Sequence, residues 1–410
     1  MADGRTVAAG TEDNLRVGPQ ETADIALPVA DRIAACGDAA EILLNVRYSL
    51  KSASGLLDAG TVLAYDQIIV REYDTEAAYG ERMEQGFTKD AVPVLYEDAY
   101  LYYIEGDGWR AEFSKSDGWL ERLITTGWHH ASDLTYTGGN AVPAYTPSSR
   151  STMKFSTGVD LLSEPLRPNF YRAVTDNDDG ARLHYKSAVW RDPGLKLKSI
   201  NASRTDRGVS VEAEYDMENV GAVLKMSYLL NAAGEISVTE HMVPGKDKEI
   251  NPMLRFGMTM TMPGRFDRVE YYGHGPHENY ADRSRSAMIG CYTADVADLY
   301  QYDYVRPQES GARTGLRYWR VVDRIGRGLE IVASNAFTAT ALNYAIEDLD
   351  LTSPKYVRHP SELVPREDTY VDFDLRQMGA GCVNSWGALP LEQYMLLYGE
   401  YTFEFIIKIL

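Results

Sequence analysis

Val209-Ser210-Val211-Glu212-Ala213-Glu214-Tyr215, then Leu224-Lys225-Met226-Ser227-Tyr228-Leu229-Leu230, then Asn231-Ala232-Ala233-Gly234 and Ile236-Ser237-Val238 form the stretch that decides the fold. Apolar residues recur at every second position, so each run presents one face to a core and the other to solvent, the signature of a strand. The Asn/Gly turn between the second and third runs, and the roughly 12-residue spacing of all three, read as an antiparallel meander of a sandwich or barrel. The fold class predicted from this stretch is all-β.

Working outward, Leu44, Val46, Tyr48 and Leu50 alternate with Asn45, Arg47 and Ser49, and Tyr401, Phe403, Phe405 and Ile407 alternate with Thr402, Glu404 and Lys408. The second of these ends the chain, so the C-terminus is expected to be tied into a sheet. Helical signals are short: Ala181 to Trp190 following Asn177-Asp178, and a turn or two around Val296, Leu299 and Tyr300. Between Tyr73 and Val92 the text turns acidic and irregular, which predicts a linker over 73–92 dividing a small sandwich at 1–72 from a large β domain at 93–410. Arg5-Thr6-Val7-Ala8-Ala9 reads as a strand of a domain already under way, so the small sandwich is expected to be incomplete at its N-terminus.

Composition narrows the function classes. Hydrophobic residues make up 44% of the 410-residue chain and charged residues 25%, the balance of an ordinary globular protein large enough for more than one core. The net charge of -19, with no local Lys/Arg stripe to offset it, repels a phosphate backbone and argues against nucleic acid. No segment approaches the ~18 continuous apolar residues of a membrane helix, and no signal peptide is legible. Cys36, Cys291 and Cys382 are far apart and lack metal-ligand spacing, which points to free thiols in a reducing compartment, cytoplasmic rather than periplasmic. The 28 tyrosines against 10 phenylalanines suit half-buried strands and also the polar-tipped aromatic surfaces on which sugars stack.

Three constellations mix charges and aromatics in Gly/Pro-rich text. They are Pro168-Asn169-Phe170-Tyr171-Arg172-Ala173-Val174-Thr175-Asp176-Asn177-Asp178-Asp179-Gly180, then Gly273-His274-Gly275-Pro276-His277-Glu278-Asn279-Tyr280-Ala281-Asp282-Arg283 with Tyr304-Val305-Arg306-Pro307-Gln308-Glu309-Ser310-Gly311, and Asn384-Ser385-Trp386-Gly387. The Asp176–Asp179 run offers hard oxygens to a cation, or its carboxylates bond their own backbone as an Asx-turn or helix cap. His277 with Glu278 or Glu309 is a candidate acid–base pair, or Glu278 and Arg283 pin a strand-end loop in a buried polar network.

These motifs, in this order, resemble the C-terminal domain of bacterial β-galactosidases of glycoside hydrolase family 2. Upstream, Leu15 to Pro19, Leu43 to Leu50 and Ala59 to Gln67 look like the small sandwich that precedes it. The resemblance implies a small immunoglobulin-like sandwich followed by a large antiparallel supersandwich of the galactose mutarotase type. It also implies a catalytic barrel that lies before residue 1, whose two glutamates hydrolyse galactosides with retention. No catalytic residue is therefore expected in this segment. Trp386 is expected to border the sugar site and bind substrate, with Asn384, His277 and Glu278 as further candidates. No metal or cofactor is expected in this segment, Mg2+ and Na+ being implied for the complete enzyme. The implied partners are a lactose-like galactoside, the barrel portion and an oligomeric assembly. Before Asn384-Ser385-Trp386 the family carries glycine and acidic residues, whereas this chain has Cys382-Val383, a bulkier and less charged approach to the tryptophan.

Two rival readings follow from the residues themselves. A mutarotase-like epimerase would use His277 or His274 with a glutamate to move a proton at the ring oxygen, and a non-catalytic carbohydrate-binding module would need only the aromatic surface.

Overall fold

The structure is a computed structural model that describes residues 1–13, 15–88, 92–125, 141–142, 158–350, 358–381, 384 and 386–410. They form two compact units, Met1–Asp74 with Met288–Cys291, and Thr75–Ala287 with Tyr292–Leu410.

The first unit holds one antiparallel pair, Ile42–Ser49 with Val62–Arg71, and a single helical turn at Ala30–Ala34. The strand read from the Leu44 to Leu50 alternation is present, but its apolar residues are only partly covered, and Leu63 and Ile69 on its partner are 57% and 51% exposed. A two-stranded ribbon has too little apolar contact to bury a face of its own, so of the expected immunoglobulin-like sandwich the described residues contain only this pair. The expected strand at Arg5 to Ala9 is absent, residue 5 forming an isolated bridge to Ala2.

The second unit is built from two large antiparallel sheets. A nine-stranded sheet runs in the order Leu195–Arg204, Val209–Met217, Ala222–Leu230, Ile236–Val243, Tyr401–Ile409, Gly328–Ala333, Tyr318–Val322, Arg268–Gly275 and Met288–Asp295, the last of which belongs to this unit from Tyr292 onward. The three strands of the deciding stretch are consecutive in it, and the alternation Val209 to Met217 is buried at every second residue. The C-terminal strand lies in mid-sheet, paired on one side with Ile236–Val243 and on the other with Gly328–Ala333. The second sheet has eleven strands, with Thr369–Gln377, Arg255–Met262 and Glu164–Asn169 adjacent near its middle. Phe113 of this sheet meets Tyr228 of the other edge-on, ring centroids 4.9 Å apart, and Phe373 meets Phe405 at 5.0 Å. These contacts, continued by Phe256, Met258, Met260 and Met262, make one continuous apolar core.

The linker expected over 73–92 is corrected. Thr75–Gly86 is a helix of twelve residues that belongs to the second unit. Arg82 pairs with Glu330 at 2.6 Å, Asn231 donates to the Gly86 carbonyl at 2.9 Å, and Tyr79 shares a hydrogen bond with Ser237. The acidic, alanine-containing text is compatible with helix, and a mid-helix glycine at Gly80 lowers propensity by only about 1 kcal/mol, which tertiary anchoring overrides. No helix of the described residues is long and apolar enough to cross a membrane. Cys36 carries a free thiol, and Cys382 lies outside the described residues.

One group in the core is out of keeping with its surroundings. Glu240, on the strand Ile236–Val243, has no exposed surface, and among the described residues neither of its oxygens has a hydrogen-bond partner. Burial pushes its pKa well above the ordinary glutamate range, and Asp374 adds to the effect. A carboxyl whose folded pKa is raised binds its proton more tightly folded than unfolded, so stability falls as pH rises from about 4.3 towards the folded value. Glu240→Gln keeps the shape and removes the ionisation. Melting midpoints are therefore expected to decline less steeply with rising pH in Glu240→Gln than in the parent, and parallel curves would show that Glu240 carries no such penalty.

Candidate functional site

The four motif segments are separated by up to two hundred residues and meet in one corner of the second unit. At its centre is Arg172, which is fully buried. It pairs with Asp178 at 2.7 Å, and its second terminal nitrogen donates to the Met378 carbonyl at 3.3 Å. Burial alone would lower the Arg172 pKa, but the carboxylates of Asp178 and Glu309 overcome this and raise it, so the guanidinium stays charged.

Asp178 has a second task. Asp176–Gly180 is one helical turn capped by Thr175, whose hydroxyl accepts from the Asp178 backbone N–H at 3.2 Å while the Asp178 carboxylate accepts from the Thr175 N–H at 2.9 Å. This reciprocal pair satisfies two donors that helix geometry leaves open. Asp176 and Asp179 are both paired with Arg306. Of the two readings of the Asp176–Asp179 run, the structure thus has the cap: its carboxylates are committed to protein cations and backbone, and no described group of three or more His, Cys, Asp or Glu residues is placed to hold a metal.

Glu278 is buried and accepts from Arg283 at 2.7 Å, from the Gly311 N–H at 2.8 Å and from the Tyr304 hydroxyl. It therefore pins Arg283 and the Tyr304 to Gly311 segment together. His277 is directed elsewhere, its ring Nε2 lying 3.1 Å from the Ser286 hydroxyl. Glu309 is buried between cations; burial pushes its pKa up to about 7 against the opposing pull of Arg255 and Arg172. The structure therefore places His277 and Glu278 on different networks and gives Glu309 to Arg255, 3.7 Å away.

Against this base lies the segment that carries Trp386. Asp282 accepts from the backbone N–H groups of Ala380 and Gly381 at 3.1 and 2.8 Å, and Asn177 donates to the Ala380 carbonyl at 3.2 Å. With the Arg172 bond to Met378, three side chains from two other motifs hold the approach to the tryptophan. A Cβ on Gly379 would come within 2.5 Å of the Asp282 carboxylate, so a side chain there would displace the very group that holds the loop. Gly387 has φ +95° and packs on the Gly180 carbonyl, a conformation that favours glycine. Asn384 accepts from the Trp386 N–H at 2.8 Å, and the indole itself is 92% exposed. A side chain of that size with so much exposed surface is not part of the core. Cys382 and Val383, where this chain departs from the resembled pattern, lie outside the described residues.

Sequence reasoning did not find the Arg255, Asp372 and Asp374 group behind this corner. Arg255 is buried, 2.8 Å from Asp372 and 3.5 Å from Asp374. The signal that was available is the alternation Arg255, Thr259, Thr261 against Phe256, Met258, Met260, Met262, which marks a strand with a polar second face.

Comparison with known proteins gives two family matches, beta galactosidase small chain over residues 148–407 and beta-galactosidase domain 4 over residues 1–71. The chain is similar to a beta-galactosidase of Priestia megaterium, 31% identical over 67% of this chain and 26% of that protein. It is also similar to one of Halalkalibacterium halodurans, 28% identical over 96% of this chain and 34% of that protein. The chain thus spans about a quarter to a third of the length of these relatives. Among solved structures, a galactose 1-epimerase from Lactobacillus acidophilus aligns over 77% of this chain and 97% of its own with a TM-score of 0.37 and 10% identity.

The bracing of the Trp386 loop is testable without substrate. Asp282→Ala removes two charge-assisted hydrogen bonds, the one to Ala380 part-buried and the one to Gly381 open to water. Amide hydrogen exchange at Ala380 and Gly381 is expected to accelerate at least tenfold while the sheet amides keep their protection. Unchanged exchange at these two amides would show that Asp282 does not hold the loop.

Proposed function

Because the chain belongs to the beta galactosidase small chain family, we propose that it is the C-terminal portion or small subunit of a β-galactosidase that hydrolyses terminal β-D-galactosyl residues with retention. In this reading it supplies an aromatic wall of the sugar site, and the two catalytic glutamates belong to a barrel portion outside this segment. The observation that carries the reading is the exposed Trp386 on a loop fastened by Arg172, Asp282 and Asn177.

The chemistry divides accordingly. Retaining hydrolysis needs two carboxyl groups about 5–5.5 Å apart, one as acid/base and one as nucleophile. Here the motif carboxylates Asp178, Glu278 and Glu309 are engaged with Arg172, Arg283 and Arg255, which suits positioning rather than proton transfer to a sugar. What Trp386 offers is an indole face for the apolar side of a pyranose, fixing the ring against the reacting carboxylates. Asn384 acts through the Trp386 backbone, and Glu278 acts through the loop it pins. We place the expected Mg2+ and Na+ of the complete enzyme outside this segment, since the Asp176–Asp179 carboxylates are committed to Arg306, Arg172 and the helix cap. An independent epimerase is not favoured, because His277 faces Ser286 and Glu278 faces Arg283.

The chain alone is expected to hydrolyse no nitrophenyl galactoside. With a cognate barrel portion supplied in trans or by fusion, Trp386→Ala is expected to raise KM several-fold, the scale of an aromatic contact worth about 0.5–1.5 kcal/mol, and Trp386→Phe to recover part of the loss. Hydrolysis by the purified chain that disappears on mutating one of its own glutamates would overturn the division of labour. An unaltered KM in folded Trp386→Ala enzyme would remove Trp386 from the sugar site.

A further inference from the structure

A cleft of about 650 Å³ opens on the second unit, and Trp386 is not among the residues that line it. Its floor is three adjacent strands of the eleven-stranded sheet, Glu164–Asn169, Arg255–Met262 and Thr369–Gln377. Alternation gives Phe256, Met258, Met260 and Met262 to the apolar core, which turns Thr259 and Thr261 to the opposite face. Antiparallel register then aligns two polar rows across that face. Arg167, Thr259 and Asp372 form one; Glu164, Thr261 and Tyr370 form the next. Directly opposed side chains on such rows stand about 5 Å apart, so the floor is a lattice of donors and acceptors. Trp119 forms one wall, and Arg191, stacked on the Tyr171 ring at 4.5 Å and paired with Asp350, forms another.

The partners of these groups define what the cleft suits. Asp372 is engaged by Arg255 at 2.8 Å and by the Asn169 amide at 3.0 Å, and Glu164 accepts from the Thr261 hydroxyl at 3.0 Å. Each carboxylate keeps further acceptor capacity. Arg167 is exposed and makes no ion pair or side-chain hydrogen bond with the described residues. Lining carboxylates outnumber lining guanidiniums, which disfavours a phosphate or other anion. A floor of charged and hydroxyl groups also disfavours an apolar ligand, whose entry would leave them desolvated. A neutral ring bearing hydroxyls meets both conditions, because each hydroxyl donates to a carboxylate and accepts from a guanidinium or threonine while the ring's apolar face lies on Trp119 or Tyr370. The volume falls within the ~300–1,000 Å³ of small-molecule sites.

We infer that this cleft binds a neutral saccharide of one to a few pyranose units, held by Arg167, Glu164 and Tyr370. The cleft would retain a sugar without reacting with it.

Calorimetric titration of the full chain tests this, with lactose and a β-1,4-galactotetraose as neutral probes and galacturonic acid and inorganic phosphate as anionic ones. The same titrations on the Trp386→Ala chain separate the cleft from the Trp386 loop. A neutral probe is expected to bind both forms with millimolar or better affinity, and Arg167→Ala and Tyr370→Ala, each checked by thermal melting, are expected to weaken it about tenfold. No binding of either neutral probe, binding lost in the Trp386→Ala chain, binding indifferent to both cleft variants, or preference for an anionic probe would each overturn the inference.

Discussion

The buried Arg172–Asp178 pair is the constraint on which the functional corner depends. Neither side chain has any exposed surface, so each would carry a large desolvation cost alone, and each offsets it for the other. The pair does more than neutralise itself. Asp178 closes the cap of the Asp176–Gly180 turn, and Arg172 reaches the carbonyl of Met378, where the segment leading to Trp386 leaves the sheet. Removing either partner would strand a charge inside the protein, which is a reason for the whole Phe170 to Gly180 motif to be held in one conformation.

Behind that pair, the eleven-stranded sheet has two unlike faces. Phe256, Met258, Met260 and Met262 from Arg255–Met262 belong to the continuous apolar core, Phe256 meeting Tyr401 of the other sheet with ring centroids 5.3 Å apart. The alternate residues of the same strands carry Arg255, Thr259, Thr261, Tyr370, Asp372 and Asp374 on the opposite face. Asp372 joins the two regions built there, since it pairs with Arg255 behind the motif corner and also lines the saccharide-sized cleft. A strand period of two is what lets one sheet serve a dry interface and a polar surface at once.

Much of the architecture was legible in the residues. The alternation Val209 to Tyr215 and Leu224 to Leu230, with the Asn231 to Gly234 turn, maps onto neighbouring strands in register, because strand periodicity and turn chemistry are local properties. The Thr75–Gly86 helix was not legible. Its text is weakly patterned, and its anchors, Ser237, Asn231 and Glu330, lie more than a hundred residues away. The strand Ile42–Ser49 was legible from the Leu44 to Leu50 alternation, but burial of its face depends on what packs over it, which alternation does not state.

The same division holds for the site. By itself the sequence determined which polar and aromatic side chains the motifs hold, Arg172, Asp178, Glu278, Asp282 and Trp386 among them, and the order of the motifs points to one family. Only the tertiary structure decided their roles. It gave Glu278 to Arg283 rather than to His277, made the Asp176–Asp179 run a helix cap and an Arg306 partner, and set Asp282 against the backbone of Ala380 and Gly381. It also aligned Arg167, Thr259 and Asp372 from three strands that lie far apart along the chain. The physical reason is that a side chain's chemistry is local, whereas its partner and its exposure are set by which distant strands the apolar core brings into register.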